Sequence, residues 1–184
     1  MSKAQYIRPS GPSHNSEAVR LGAATADVAG RLTDADKWKL VKFAGTDRYD
    51  LCVAGDIIEG IVTSVEPASS GGFAVGGVNK FDKMYVVADG LQATPGTGVI
   101  AAGDYVVCGT PVAKGTRIDT QGYSKVCKAT VQPGSVPADL TAAAAQLNML
   151  AKGAWRVVSL LEAASGAVGT TLVIERVGVP GVAA

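Results

Sequence analysis

Short apolar runs separated by turn residues make up most of this sequence after Asp36, and this pattern constrains the fold more than any other feature. Gly45-Thr46-Asp47, Gly55-Asp56 and Ser69-Ser70-Gly71-Gly72 are turn-forming segments. Short apolar runs bounded in this way are typical of β-strands. They occupy residues 38–44, 49–54, 57–65, 73–75, 83–88, 105–108 and 123–131. The spacing predicts a mainly β fold, a sandwich or small barrel of short antiparallel strands.

The apolar residues are mostly small or β-branched. Hydrophobic residues make up 47% of the chain, whereas aromatic residues make up only 5%. This composition indicates a globular protein whose core is filled by small and branched side chains, which favours thin sheets with tight turns. The sequence contains no apolar run of about 18 residues, the length that a membrane helix needs.

One segment departs from the strand pattern. Apolar residues recur there at helical spacing behind Pro137 and Asp139 and ahead of Gly153, and they are Leu140, Ala143, Ala144, Leu147, Leu150 and Ala151. This predicts one amphipathic α-helix near residues 138–152. Residues 155–162 and 170–177 follow it and are expected to pair as a hairpin.

The two ends differ in composition from the middle of the chain. Residues 1–30 combine Pro9, Gly11 and Pro12 with small polar residues, which predicts an extended N-terminal arm. Residues 31–177 are expected to form a single β-rich domain, and residues 178–184 a C-terminal tail. An arm of this kind buries little surface by itself, so we expect a neighbouring subunit to order it. Its candidate contact residues are Tyr6, Ile7, Arg8, Val19 and Leu21.

Charge argues against two classes of partner. The formal net charge is +1, and no stretch gathers five or six like charges. Neither nucleic acid nor an anionic membrane is therefore an expected partner. The first residues lack the apolar stretch of a secretory signal, so we expect the protein to be made in the cytoplasm.

The sequence predicts no catalytic, cofactor-binding or metal-binding residues, and we expect a protein that is not an enzyme. His14 is the single histidine and lies in the predicted arm, where it cannot be held as a catalytic base. Cys52, Cys108 and Cys127 are widely spaced and are expected to be buried free thiols. Asp34 and Asp36 lack the further oxygen ligands of a calcium loop. The glycine-rich residues 71–77 have no following Lys-Ser or Lys-Thr, which favours a flexible hairpin tip over a phosphate loop.

Two segments of the chain resemble each other. Residues 54–60, Ala-Gly-Asp-Ile-Ile-Glu-Gly, are similar to residues 102–109, Ala-Gly-Asp-Tyr-Val-Val-Cys-Gly. Glycine followed by aspartate suits a tight turn, so turn chemistry alone can produce such a pair. An internal duplication is the alternative explanation.

Two functional alternatives come from local features. Asp82-Lys83-Met84, with Gly103-Asp104 and residues 109–113, resembles lipoyl and biotinyl carrier domains. That resemblance implies a modified lysine, Lys83, at a hairpin tip. The other alternative is an adhesion module of a tail or host surface, which would expose Trp or Tyr platforms for sugars.

Across most of its length, the chain resembles the decoration proteins of tailed-phage capsids, also called cement or head-stabilisation proteins. The resemblance lies in the layout of residues 50–56, 102–109 and 154–164. It implies a structural virion protein that binds the outer surface of an assembled capsid in host cytoplasm and stabilises the shell, often as a trimer. The major capsid protein would then be the partner, and the N-terminal arm would contact capsid or neighbouring subunits.

Overall fold

A computed structural model describes residues 16–22, 31–45, 48–66, 74–80, 83–89, 99–118, 124–161 and 168–177. Ten strands, a short 3-10 helix and one α-helix lie in these ranges. The strands are β1 Ser16–Leu21, β2 Leu40–Phe43, β3 Arg48–Leu51, β4 Gly60–Glu66, β5 Ala74–Asn79, β6 Lys83–Ala88, β7 Tyr105–Cys108, β8 Lys125–Lys128, β9 Ala154–Leu160 and β10 Thr171–Val177. The 3-10 helix is Asp34–Asp36, and the α-helix α1 is Leu140–Ala151. The predicted mainly β fold with one helix is confirmed.

The strands form two closed barrels of five strands each. Barrel 1 has the strand order β1-β3-β2-β4-β5, and barrel 2 has the order β6-β8-β7-β9-β10. In each barrel the first and third strands are parallel and the other neighbours are antiparallel. The two barrels therefore have the same topology, with β1 to β5 corresponding in order to β6 to β10.

The correspondence extends to the register of each strand pair. Equivalent pairs of the second and fourth strands are Val41 opposite Gly60 and Val106 opposite Trp155. Equivalent pairs of the first and third strands are Leu21 opposite Tyr49 and Ala88 opposite Val126. Equivalent pairs of the fourth and fifth strands are Val62 opposite Val78 and Val157 opposite Ile174. One set of equivalences satisfies all three ladders, so the chain builds the same barrel twice.

Both fourth strands contain a one-residue bulge at the same place. In β4 the register shifts between Val62 and Ser64, and in β9 it shifts between Val157 and Ser159. A bulge bends its strand and increases the local twist, which helps a small sheet to close on itself. Each barrel therefore closes by the same device at the same position.

The turn before the second strand also matches. The amide of Trp38 donates to the carbonyl of Val62 (2.7 Å), and the amide of Gly103 donates to the carbonyl of Val157 (2.8 Å). Both residues have positive φ, 71° for Trp38 and 92° for Gly103. A large side chain is rare in this conformation. Barrel 1 nevertheless forms the same turn as barrel 2, with Trp38 at the position of Gly103.

The similar segments seen in the sequence are not equivalent in the fold. Gly55-Asp56 lies between the third and fourth strands of barrel 1, whereas Gly103-Asp104 precedes the second strand of barrel 2. The two turns are alike because each aspartate accepts from a main-chain amide three residues earlier: Asp56 from Val53 (2.7 Å) and Asp104 from Ala101 (2.9 Å). Turn chemistry explains why the two segments have similar sequences. The repeat of the barrel aligns each segment with a different part of the chain.

The barrels share part of their core. A cluster of eight buried residues fills barrel 1: Leu21, Leu32, Val41, Tyr49, Val62, Val65, Ala74 and Val78. The larger cluster fills barrel 2 and also includes Leu40, Cys52, Ile58 and Ile61 from the barrel 1 half. Trp155 lies in this cluster and donates from its Nε1 to the carbonyl of Ile58 (3.0 Å). The two barrels are therefore joined by shared apolar packing.

Two expectations from the sequence need correction, and a third is confirmed. The arm predicted over residues 1–30 includes β1, which closes barrel 1 between β3 and β5; residues 1–15 and 23–30 lie outside the described residues. The glycine-rich hairpin tip predicted over residues 71–77 is wrong for residues 74–77, which belong to β5. Gly76 is required there because a Cβ would lie 2.0 Å from the carbonyl oxygen of Ser64. The hairpin predicted near the C-terminal end is confirmed by the pairing of β9 with β10.

Candidate interaction surfaces

No group of three or more His, Cys, Asp or Glu side chains that could hold a metal ion occurs among the described residues. His14 lies outside the described ranges, as does Asp47. Within the same ranges, no helix is long and apolar enough to cross a membrane.

A small cleft lies where the two barrels meet. Its lining includes Lys39 and Cys52 from the barrel 1 half, and Cys108, Ser124 and Lys125 from the barrel 2 half. Its volume is about 20 Å³, which is room for one water molecule and not for a metabolite. The cleft therefore marks the packing seam between the barrels.

A buried ion pair closes this seam. Lys39 Nζ lies 2.6 Å from Asp36 Oδ1, and both side chains are almost fully buried. Lys39 also donates to the carbonyl of Ala113 (2.7 Å), and the amide of Gly115 donates to Asp36 (2.7 Å). Ala113 and Gly115 belong to the long connection between β7 and β8. The pair therefore ties the turn before β2 to a loop of the other barrel.

The pKa of Asp36 reflects two opposing influences. Burial alone raises the pKa of this carboxyl, but hydrogen bonds from Lys39, Thr33 and Gly115, with the positive charge of Lys39, outweigh it and hold the pKa below its usual value. Asp36 is therefore charged in the folded protein at neutral pH. The sequence predicts no calcium loop at Asp36. In the structure, the carboxylate oxygens of Asp36 already accept hydrogen bonds from Lys39, Thr33 and Gly115.

The three cysteines are free and buried, as the sequence predicts. A hydrogen bond with Cys108, together with burial, raises the pKa of Cys52 well above its usual value. A thiol with a raised pKa forms little thiolate at neutral pH and is a poor nucleophile. Cys52 therefore lacks the environment of a reactive, nucleophilic cysteine.

We expect the native protein to react slowly with an aromatic disulfide reagent at neutral pH. Because all three thiols are buried, modification requires local opening and should be roughly a hundred-fold slower than in the denatured chain. Absorbance of the released thiolate measures the rate. All three cysteines should react once denaturant is added, and fast modification of one thiol in the folded state would contradict this assignment.

Three of the most exposed large apolar side chains lie on α1 or in the segment that leads into it. Leu140 is 89% exposed, Leu147 is 68% exposed, and Val136 is 94% exposed. The helix was predicted as amphipathic, yet only Met149 is buried among its residues. The sequence of α1, Leu-Thr-Ala-Ala-Ala-Ala-Gln-Leu-Asn-Met-Leu-Ala, contains no charged residue. We call Val136, Leu140 and Leu147 the helix surface.

A second exposed apolar residue lies at the end of β2. The ring of Phe43 is 47% exposed and contacts the ring of Tyr49 edge to face, with centroids 5.5 Å apart. Leu40 accepts from Cys52 and Ala44 donates to Arg48, both toward β3. Because main-chain direction alternates along a strand, the polar groups of Phe43 point away from β3, toward an open edge. We call this the Phe43 edge.

The predicted contact residues fall into two groups. Tyr6, Ile7 and Arg8 lie outside the described residues. Leu21 is corrected: it is only 1% exposed and belongs to the barrel 1 core, so it cannot supply contact surface. Val19 is half-buried and packs against the same core. Neither residue of β1 is available in the way that an arm residue would be.

The two local alternatives find little support in the geometry. Lys83 is the first residue of β6, lies opposite Glu175 of β10 and pairs with its carboxylate at 3.6 Å, so it is not at a hairpin tip. For the adhesion alternative, Trp155 is buried and Trp38 is half-buried. Among the described aromatic side chains, only Phe43 is classed as exposed.

Sequence reasoning missed the Phe43 edge and misjudged the helix surface. The periodicity of α1 predicts a helix, but it does not say whether the apolar stripe is covered. The lack of any charge in its twelve residues is the signal that could have indicated an external contact, since solvated helices normally carry charged residues. Phe43 gives no such signal, because an apolar residue in a strand is the ordinary pattern.

Comparison with family models, with curated proteins and with solved structures finds no match to this chain.

Proposed function

We propose that this chain is a structural virion protein that binds the outer surface of an assembled phage capsid and stabilises the shell. The observation that supports this most is the charge-free, exposed helix surface on a pair of barrels that share a core. Exposed apolar surface that groups together marks protein contact. A rigid body with contact surface and without an assembled catalytic cluster among its described residues suits a protein that acts by binding.

The physical basis of such stabilisation is mass action. A protein that binds the assembled lattice, and not its separated subunits, stabilises the lattice by its binding free energy. At a free concentration one hundred times Kd, each occupied site contributes about 2.7 kcal/mol. Many copies on one shell add this contribution many times, so a modest affinity suffices.

We place the capsid contact in the N-terminal segment, where Tyr6, Ile7 and Arg8 combine an aromatic ring, a branched apolar side chain and a positive charge. The start of β1 supports a choice of where to shorten the chain. β1 begins at Ser16 and closes barrel 1, so residues 1–15 are the part that can be removed without taking a strand from the barrel.

We expect the purified chain to co-sediment with mature capsids that lack their decoration protein and to raise the temperature at which these capsids release DNA. A nuclease-accessible dye measures release during heating. A variant without residues 1–15 should stay folded and lose attachment, whereas a variant without residues 178–184 is the matched deletion control. Failure of the full chain to co-sediment would refute the proposed function, and unchanged attachment of the shortened chain would refute the placement of the contact.

A carrier domain modified at Lys83 is the alternative that a single mass measurement excludes. Expression in cells that contain lipoyl and biotinyl ligases should leave the mass of the chain unchanged, because Lys83 lies within a strand ladder.

A further inference from the structure

The repeated barrel allows each connection of barrel 1 to be compared with its counterpart in barrel 2. The third and fourth strands are joined by residues 52–59 in barrel 1 and by residues 129–153 in barrel 2, which include α1. Each connection contains a turn of the same type, which also occurs at residues 101–104 and 113–116. Gly55 has φ 92°, and Gly134 has φ 97°. Asp56 donates to Val53 (3.1 Å), and Ser135 donates to Gln132 (3.2 Å).

In barrel 1 this turn docks on the neighbouring barrel. The amide of Gly55 donates to the carbonyl of Cys108 (2.8 Å), and the amide of Cys108 donates to the carbonyl of Asp56 (3.0 Å). Two residues further on, Ile58 is fully buried in the shared core. The connection therefore adds main-chain hydrogen bonds to the open edge at the end of β7 and inserts an apolar side chain beside it.

The receiving position in barrel 2 has an exact structural equivalent in barrel 1. Cys108 lies opposite Val126 in β8, and Phe43 lies opposite Tyr49 in β3. Since the registers of the two barrels match, Phe43 is the counterpart of Cys108. Cys108 is buried by the turn that docks on it, whereas the Phe43 ring is half exposed. Within the described part of the chain, no turn docks on the Phe43 edge.

The donating position in barrel 2 is equally open. Val136 and Pro137 follow the turn Gln132–Ser135 as Ile57 and Ile58 follow the turn Val53–Asp56; Val136 and Pro137 are exposed, whereas Ile58 is fully buried. The turn itself is held rigidly, since the Gln132 side chain accepts from the amide of Tyr105 (2.8 Å) and donates to its carbonyl (3.0 Å). Among the described residues, barrel 2 thus presents a turn whose following residues are exposed and whose Ser135 carbonyl accepts only from the Gln146 side chain (3.1 Å), and barrel 1 presents a receiving edge on which no turn docks.

We propose that these two surfaces bind each other between copies of this chain: the turn Gln132–Ser135, with the helix surface beside it, docks on the Phe43 edge of a second copy. Within one molecule, the turn of barrel 1 docks on barrel 2. The proposed contact is the same docking made between two molecules. This inference rests on the proposed function for its biological setting. It adds that the partner of the helix surface is a second copy of the chain.

The chemistry of the surfaces suits this contact. Val136, Leu140 and Leu147 are apolar, and α1 is uncharged, so the helix surface carries no charge of its own that must be desolvated when it approaches the Phe43 ring. The two surfaces are different, which makes the contact head to tail. A repeated head-to-tail contact closes into a ring when its rotation permits and otherwise extends as a filament.

The test is light scattering coupled to size exclusion, with sedimentation velocity over a range of concentrations, on the full chain. We expect the unmodified chain to associate. Val136→Glu and Phe43→Glu should each raise the dissociation constant at least about tenfold, because each places a charge in an apolar contact. Val136→Glu should leave folding intact, since this side chain is almost fully exposed, and circular dichroism checks it. Val168→Glu, at a 68% exposed position in the β9–β10 connection, is the control that should associate normally.

Mixing the two variants gives the sharpest result. The Val136→Glu chain keeps an intact Phe43 edge, and the Phe43→Glu chain keeps an intact docking turn. We expect an equimolar mixture to form a one-to-one heterodimer that grows no further, although neither variant associates alone. An isologous contact would hold the unmodified chain as a closed dimer, so growth of the unmodified chain beyond a dimer distinguishes the head-to-tail contact from it.

Three results would overturn the inference. The first is an unmodified chain that stays monomeric up to about 1 mM, and the second is a mixture that shows no heterodimer. The third is a monomeric chain whose capsid attachment is abolished by Val136→Glu, which would assign the helix surface to the shell. Self-association with complementation, together with no capsid binding, would keep this inference and remove the proposed function.

Discussion

Replacement of Trp155 by alanine is expected to lower the free energy of unfolding by about 3–5 kcal/mol. Trp155 is 1% exposed and lies in the core cluster that both barrels share. Its removal leaves a cavity, and it also leaves the Ile58 carbonyl without the indole donor at 3.0 Å. A buried carbonyl without a partner costs about 1–3 kcal/mol. This places the expected loss at the upper end of the range.

Chemical denaturation followed by circular dichroism measures this loss, and the fluorescence of Trp38 gives a second probe. Trp155→Phe is the matched control, because it keeps most of the ring volume and removes the donor. We expect it to cost about 1–3 kcal/mol. A loss below about 1 kcal/mol for the alanine variant would show that Trp155 does not hold the barrels together.

Replacement of Lys39 by methionine is expected to cost about 3–5 kcal/mol at pH 7, because it leaves the Asp36 carboxylate buried without its cation. The substitution keeps the length and apolar volume of the side chain. It removes the 2.6 Å ion pair and the bond from Lys39 to the Ala113 carbonyl. Lys37→Met is the control, since the pair of Lys37 with Asp34 (2.9 Å) is partly exposed and should contribute less than about 1 kcal/mol.

The pH dependence of this effect has a definite sign. In the unmodified protein the pKa of Asp36 is lowered, so its stabilising contribution is present above the unfolded pKa of about 3.9 and is lost as the pH falls through the folded value. Without Lys39, burial is opposed by fewer interactions and the pKa of Asp36 should rise. The folded variant then favours the protonated acid. We therefore expect the difference in unfolding free energy between the two proteins to be smaller at pH 4 than at pH 7. Equal differences at both values would contradict the assigned role of the ion pair.

The sequence predicts the elements of this fold better than their arrangement. The strands near residues 105–108 and 83–88 lie where turn residues and apolar runs place them, because these signals are local. The division into two barrels is not local. It depends on which strand edges pair. The sequence predicts an arm where β1 lies, because the small and polar residues around β1 give no sign of a strand that pairs with β5.

The repeated barrel could not be read from the chain because most equivalent positions hold different residues. Gly60 corresponds to Trp155, and Leu51 corresponds to Lys128. What the barrels have in common is main-chain hydrogen bonding, which many side chains permit. The similar segments that do appear in the sequence lie at turns that are not equivalent, so they point to the wrong register.

The candidate contact surfaces show the same limit. Periodicity predicts α1 but assumes that its apolar stripe faces inward, whereas Leu140 and Leu147 face outward. Leu21 gives the opposite case, since it was assigned to an exposed contact and is in the core. Whether a side chain is buried depends on the residues that pack against it from other parts of the chain. A short stretch of sequence does not contain those residues.

The intrusion of Leu40, Ile58 and Ile61 into the core of barrel 2 also limits how this chain can be divided. A fragment that begins at β6 would contain every strand of its own barrel and still lack the side chains that complete its interior. The two barrels repeat one architecture, but their shared core means that they are not independent folding units. We expect them to unfold together as a single cooperative unit.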